Sequence, residues 1–271
     1  MIPTILFRAG TRWEEEELAI ASKYFPVVRY RSELPVRPLV IPRYSALPYY
    51  NELVKDVTAI QGRLINSPME HHWCADISGW GRTYEEFTPR SWDDHSIHSS
   101  PFYQGPYVVK GATNSRKAQW KTHMFAATKK EALEVASKLA YDPIIGQQGI
   151  YYREYVELEN HGIDPISGIP IAHEFRFFFY RETLLARGFY WDNHDLDVPV
   201  PQEATEFAQK LAEMAKATFY VLDIAKAKDG RWILIEVNDG QQAGLSSCSA
   251  DDLYGNLRKA IDRNIPRDTR R

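Results

Sequence analysis

The sequence predicts a mixed fold, α/β in its N-terminal part and α+β beyond it, and three observations carry that prediction. Over residues 1 to about 80, short apolar runs alternate with helical stretches, the order of a small parallel α/β unit. A strand–helix–strand order returns in the second half, with residues that do not match the first. Near the C-terminus, Phe219–Lys226 and Arg231–Val237 flank Lys228-Asp229-Gly230, and Asp-Gly is a strong hairpin turn signal.

Taken in order, Ile2–Phe7 reads as a strand and Trp13–Tyr24 as a helix, with Thr11 as its N-cap and glutamates in its first turn. Val27–Tyr30, Leu39–Pro42 and Arg63–Ile65 are expected strands, with a helix at Pro48–Gln61. Gly79–Gly105 is rich in Ser, Pro, His and aromatics and lacks a period, so it reads as a connecting segment with a short strand at Glu86–Pro89. Pro106–Gly111 and Met124–Thr128 follow as strands around a polar loop, Ala112–Lys117. Lys129–Tyr141 is an amphipathic helix burying Ala132, Leu133, Val135, Ala136 and Leu139. Gly149–Leu158 is a strand with a hinge, and Glu159–His173 a surface excursion marked by its Pro and Gly residues. Glu174–Arg181 and Thr183–Tyr190 pair around Arg181-Glu182. Glu203–Thr218 is a helix, as is Asp252–Arg263 before a basic tail.

Composition narrows the function classes. The 271 residues are 44% hydrophobic and 25% charged, an ordinary globular balance with room for a sizeable core. Lys+Arg 33 against Asp+Glu 36 leaves a net charge of −3, which argues against a dedicated nucleic-acid binder or a polybasic membrane adherent. Cys74 and Cys248 make no disulfide framework. The first apolar run is too short for a signal peptide and no run is long enough for a membrane helix, so a cytoplasmic location is expected. Aromatic residues reach 13%, read chiefly as core filling, with stacking on planar ligands as the alternative.

The most informative segment is the C-terminal hairpin. Asp223 stands thirteen residues before Glu236, and Asn238 two residues after it. Side chains two apart on a strand share a face, and the hairpin brings Asp223 alongside. Ile233, Ile235 and Val237 alternate with them, which sets acidic groups in a core-like strand. Two carboxylates and an amide oxygen are hard ligands suited to Mg²⁺ shared with phosphates. The same spacing also suits a solvated edge hairpin, and spacing alone leaves both open.

With these residues in place the chain resembles the ATP-grasp superfamily, over roughly residues 62–250, with residues before that resembling the domain that commonly precedes it. Asp223, Glu236 and Asn238 match the family's magnesium positions. Lys110 in VVKG, before the loop Ala112–Lys117, matches its strand lysine. Arg153-Glu154-Tyr155-Val156 resembles the adenine hinge, with Glu154, Tyr155 and Val156 implied as nucleotide contacts. Glu174 in EFRFFF matches the residue that takes the ribose hydroxyls, after a longer spacer than usual. Arg176, and Arg187 on the next strand, resemble arginines facing the phosphates or an acyl phosphate. EFR, LLARGFYW and EVNDGQQAGL together are similar to a bacterial and phage clade of the family.

The resemblance implies an ATP-grasp fold with a small pre-ATP-grasp domain: residues 1–90 as the N-terminal domain with linker, 91–150 as the first lobe and 151–271 as the second. It implies ATP and Mg²⁺ as cofactors, and a ligase that makes an acyl phosphate and joins it to an amine or thiol, releasing ADP and phosphate. A phosphotransferase and a non-catalytic ATP-binding module are the alternatives. Partners would be small-molecule or peptide carboxylates and amines, with no nucleic acid or membrane; a homodimer is compatible, and the oligomeric state is left open. One departure stands out: no Lys lies between Lys55 and Lys110, where most members carry another. Arg63, Arg82, Arg90, Lys117 or Lys121 would supply its charge, and Lys117 joins Arg176 and Arg187 as a candidate catalytic residue.

Smaller signals have bland readings. His71-His72-Trp73-Cys74 is expected on a helix surface rather than at zinc. Cys248 reads as a buried thiol, His95 and His98 as exposed, and Trp191 as sheet support. Asp239–Gly244 is either a plain turn or a set of N–H groups facing an anion.

Overall fold

In the computed structural model, residues 2–8, 10–47, 49–99, 102–192, 194 and 196–264 are described; the expected basic tail lies outside them. The elements begin with β1 (Ile2–Phe7), α1 (Arg12–Ala21), β2 (Val27–Val28), β3 (Pro38–Arg43), α2 (Tyr50–Ala59), β4 (Arg63–Leu64) and α3 (Pro68–Ala75). They continue with α4 (Ile77–Trp80), β5 (Ser91–Asp93), β6 (Tyr107–Gly111), α5 (Trp120–His123), β7 (Phe125–Ala126), α6 (Lys129–Leu139) and β8 (Ile150–Glu154). Then come β9 (Asn160–Ile163), β10 (Pro170–Ala172), β11 (Glu174–Tyr180), β12 (Thr183–Phe189), α7 (Gln202–Ala212), β13 (Phe219–Lys226), β14 (Trp232–Asp239) and α8 (Ala250–Asn264). No described helix is long and apolar enough to cross a membrane.

Two compact units emerge. The first comprises Met1–Cys74, Phe175–Asp223 and Val237–Arg271, the second Ala75–Glu174 and Ile224–Glu236. The division falls within β13, after Asp223, and within β14, after Glu236.

In the first unit, β2-β1-β3-β4 form a parallel sheet, as the alternation of apolar runs and helices predicts. Thr11 starts α1 as expected: its hydroxyl accepts from the Glu14 N–H, and the Glu14 carboxylate accepts from the Thr11 N–H at 2.8 Å, a complete capping box. Strand alternation divides β1 between two cores. Leu6 joins Val40, Leu53 and Val57 beneath α2, whereas Ile5 and Phe7 pack with Phe178, Phe219, Val221 and Leu253. The second core welds the N-terminal sheet to the C-terminal elements. Buried Arg43 reinforces it, reaching Glu17 at 2.8 Å, the Tyr254 hydroxyl at 3.1 Å and the Gly240 carbonyl.

Strand β11 is buried along its whole length. Phe175 and Phe179 meet Phe189 and Tyr220, and Phe178 meets Phe219 from the other face. Each such ring contributes about 1.5–3 kcal/mol of burial, which accounts for much of the aromatic excess. Its sheet runs β12-β11-β13-β14.

The second unit holds the antiparallel sheet β5-β8-β6-β7. Tyr107, Val109 and Tyr152 turn one face into a core under Ala132, Val135, Ala136 and Leu139 of α6. The turn between β13 and β14 closes as expected, with Ala227 donating to the Arg231 carbonyl at 2.8 Å and Gly230 at φ 89°.

Several local expectations are corrected. Glu86–Pro89 is not a strand; Phe87 accepts one bond from the Leu234 N–H, Thr88 donates to the Leu234 carbonyl, and Pro89 has no N–H to extend a ladder. The strand forms instead at Ser91–Asp93. The excursion 159–173 folds into the two-stranded sheet β10-β9. Helix α7 ends at Ala212 rather than Thr218, because the Thr218 carbonyl accepts the Arg181 N–H at 2.7 Å in an extended approach to β13.

Candidate active site

Each unit carries one charged cluster, and between them they hold most of the residues the sequence singles out. In the second unit the cluster grows from strand alternation. Lys110 pairs across the ladder with Tyr151, and Val108 with Arg153, so Lys110 and Arg153 share the face opposite the α6 core. Lys110 is 5% exposed and its ammonium donates to Glu236. Arg153 is 6% exposed and donates to neutral oxygens, the Ile235 carbonyl at 2.6 Å, the Thr88 hydroxyl at 2.7 Å and the Ser91 hydroxyl at 3.3 Å. Lys117 adds its charge to both Lys110 and Glu236.

Three cations around one carboxylate explain the titration pattern. Burial pushes the Lys110 ammonium down, Glu236 pulls it back, and the charges of Arg153 and Lys117 push it down further. Burial likewise holds Arg153 down at about 10. Burial alone would push Glu236 up; the surrounding cations outweigh it and hold the carboxyl at about 2. That depression is a stability contribution, present in full above the ordinary value of 4.5 and lost as pH falls toward about 2. In acid titrations of unfolding midpoints, Glu236→Gln should therefore flatten the pH dependence between those limits. An unchanged slope would remove Glu236 as its source.

The polar loop after Lys110 is held by hydrogen bonds. Thr113 and Asn114 N–H groups donate to Gln148 Oε1, and Arg116 grips Asp142 with two bonds of 2.5 Å. Arg90 forks onto Glu154 at 2.8 and 3.1 Å. The Tyr155 N–H donates to the Pro106 carbonyl at 2.9 Å, while its ring packs edge-on against Phe125. Val156 follows in a non-strand segment, and Glu174, 3% exposed, opens β11.

In the first unit, Arg176 grips Asp223 with Nε and a terminal nitrogen, each at 2.8 Å, and donates to the Gly244 carbonyl at 2.8 Å. Asn238 Nδ2 donates to the same carboxylate at 3.0 Å. Burial would lower the Arg176 pKa, but Asp223, itself fully buried, raises it above the usual arginine value. The guanidinium lies 4.8 Å over the Tyr190 ring. Arg187 is not part of this cluster. It pairs with Phe177, one residue out of step with Arg176, so it leaves the opposite face of the sheet and donates to Thr205. There it borders a cavity of about 470 Å³ with Asp192, His194, Asp197 and Ser247, in which the His194 Nε2 is buried without a hydrogen-bond partner among the described residues.

The end of β14 is anchored by a network the sequence reading missed. Asp239 accepts from Asn66 at 2.9 Å, the His71 ring at 2.7 Å, and the Gln241 backbone and side chain at 2.9 and 2.8 Å. His71, Trp73 and Cys74 are thus buried rather than on a helix surface, because buried Asp239 needs donors. The N–H groups of residues 240–243 are consumed by Phe219 and Asp239, which makes Asp239–Gly244 a turn. Cys248 is buried and its thiol pushed up to about 12, His95 and His98 are exposed, and Trp191 is buried against Tyr190.

Among the described residues, no group of three or more His, Cys, Asp or Glu is placed to hold a metal ion. The Asp223, Glu236 and Asn238 oxygens nevertheless fit magnesium in chemical type. Asp223 has one of its roughly four acceptor positions left after Arg176 and Asn238, and turning the Asn238 amide would present its oxygen.

The fold is that of the ATP-grasp class of protein. Solved structures agree in fold. A RimK domain ATP-grasp protein from Sphaerobacter thermophilus aligns with a TM-score of 0.63 at 13% identity, over 96% of this chain and 98% of that one. The ATP-grasp ligase PsnB, complexed with minimal precursor, Mg and ADP, gives 0.59 at 10% identity over 96% and 97%. D-alanine–D-alanine ligase from Bacillus anthracis gives 0.58 at 13% over 97% and 95%. No curated protein sequence matches. Residues 95–257, more than half of the chain, match a family described as an ATP-grasp domain, the family numbered 3 within its clade, and the chain belongs to that family.

Proposed function

We propose that this chain is an ATP-dependent ligase that activates a carboxylate as an acyl phosphate and joins it to an amine or thiol. The observation that carries the reading is the buried positive charge on the β6–β8 face, where Lys110 and Arg153 stand beside Glu236 and Lys117 adds its charge from the following loop. Holding that charge away from water is costly unless an anion completes it, and a triphosphate, with about four negative charges, does so. Lys110, Lys117 and Arg153 then hold the phosphates, and Arg153 with Lys117 supplies the charge of the missing upstream lysine. Arg176, oriented by Asp223, faces the acyl phosphate; Glu154, Tyr155, Val156 and Glu174 receive the nucleoside. Asp223, Glu236 and Asn238 would hold Mg²⁺, which offsets phosphate repulsion when bound. In this reading residues 1–90, 91–150 and 151–271 act as N-terminal domain, first lobe and second lobe, and Arg187 serves a co-substrate from the cavity it borders.

The acid's carboxylate oxygen attacks the γ-phosphorus and ADP leaves. The amine then attacks the acyl carbon, loses a proton, and phosphate leaves. Positioning and electrostatics suffice for both steps. Incubation with ATP, Mg²⁺ and a mixed amino-acid and metabolite pool, followed by mass spectrometry, should show a condensed product with ADP and phosphate. A stable phosphorylated product would favour a phosphotransferase instead, and ATP binding without stimulated turnover a binding module. In calorimetry, Lys110→Ala should weaken ATP binding at least about ten-fold, equal to about 1.4 kcal/mol; unchanged affinity would refute its phosphate role.

A further inference from the structure

The parallel sheet of the first unit has a feature that the ligase reading does not use. Its order, β2-β1-β3-β4, means the chain leaves β1 toward one side and returns to the other. Between β1 and β3 the direction of winding reverses. In open α/β sheets, ligands bind in the crevice outside the carboxyl ends of the strands at such a point.

A cavity of about 700 Å³ occupies that position. Arg8 follows β1 directly, Arg31 follows β2, and Tyr44 and Ser45 follow β3; all four line it. The Arg8 guanidinium lies 4.6 Å over the Tyr44 ring, which orients its fork, and no carboxylate pairs with it among the described residues. Arg31 spends one terminal nitrogen on Asp56 at 2.6 Å, in a pair exposed enough to be shared. Arg31 Nε and the Tyr44 hydroxyl are buried against each other, yet neither completes a well-formed hydrogen bond. The Tyr44 hydroxyl thereby holds the Arg31 guanidinium at the cavity wall. Helix α2 begins here, and its N-cap residue, Tyr49, forms no side-chain cap, which leaves the positive helix end to the cavity. Glu52, on the first turn of α2, is the one carboxylate in the lining.

We propose that this crevice binds a small organic oxyanion, either a carboxylate or a phosphate monoester. Its oxygens take the Arg8 fork and the other terminal nitrogen of Arg31, and its body lies along Tyr44 and Tyr49. Glu52 excludes a second negative charge from the α2 side.

The site is independent of the nucleotide reading, and its test is a binding measurement. Full-length protein would be titrated in a calorimeter with succinate, with phenyl phosphate, and with succinamide as the neutral control. At least one anion should saturate, succinamide should not, and whichever anion binds identifies the headgroup. Arg8→Ala should weaken that binding about ten-fold or more with an unchanged melting temperature, since Arg8 is exposed. Tyr44→Phe should weaken it as well, and Lys110→Ala should leave it unchanged. Failure of both anions to saturate by about 10 mM, equal binding of succinamide, or unaltered affinity in Arg8→Ala would overturn the proposal.

Discussion

Glu236→Ala is expected to reduce Mg-ATP-dependent turnover at least about a hundred-fold and to destabilise the fold by about 3–5 kcal/mol at neutral pH. The two effects have separate causes. As the proposed ligand to magnesium the carboxylate would act on the reaction. As the counter-charge of buried Lys110 and Arg153 it acts on folding. Removing it takes the carboxylate from buried Lys110 and Arg153, whereas removing one cation as well restores part of the balance. Glu236→Ala combined with Lys110→Met should therefore recover stability in denaturant titrations while staying inactive. Recovery of turnover in the double variant would sink the metal role, and the lack of any stability difference between single and double variants would sink the counter-charge role.

Arg176→Ala is expected to be comparably severe, costing about 3–5 kcal/mol and about a hundred-fold or more in turnover. It leaves the fully buried Asp223 with only the Asn238 amide. Arg176→Lys should rescue neither property, because an ammonium cannot reproduce two parallel bonds of 2.8 Å together with a third to the Gly244 carbonyl. Chemical denaturation and ADP release on the two variants decide the matter. A lysine variant of native stability and rate would show that charge alone is needed.

Much of the architecture was legible because it rests on local chemistry. The Thr11–Glu14 capping box and the Asp229-Gly230 turn act within a few residues, and the chain displays them directly. The ATP-grasp family was legible too, since the segments around Lys110, Glu154, Glu174, Asp223, Glu236 and Asn238 stand in recognisable order. Arg187 misled because it looks like a second Arg176 in sequence; one step of register against β11 sends it to the other face. Arg153 was read only as the start of the hinge. Its signal was a charged residue at an inward position of a core strand, which composition does not distinguish from an exposed one.

By itself, then, the sequence determined the elements, the family and the chemical types gathered for the reaction, because propensity, capping and side-chain period are short-range. Only the tertiary structure decided which charge answers which. Lys110 meets Glu236 across 126 residues, and Arg176 meets Asp223 across 47. It also decided that Asp239 would draw His71 and Asn66 inward, across 168 and 173 residues. The physical reason is that pairing energy depends on a few ångströms of separation and on exclusion of water. Strand register and packing supply both, and no local stretch of the chain encodes either.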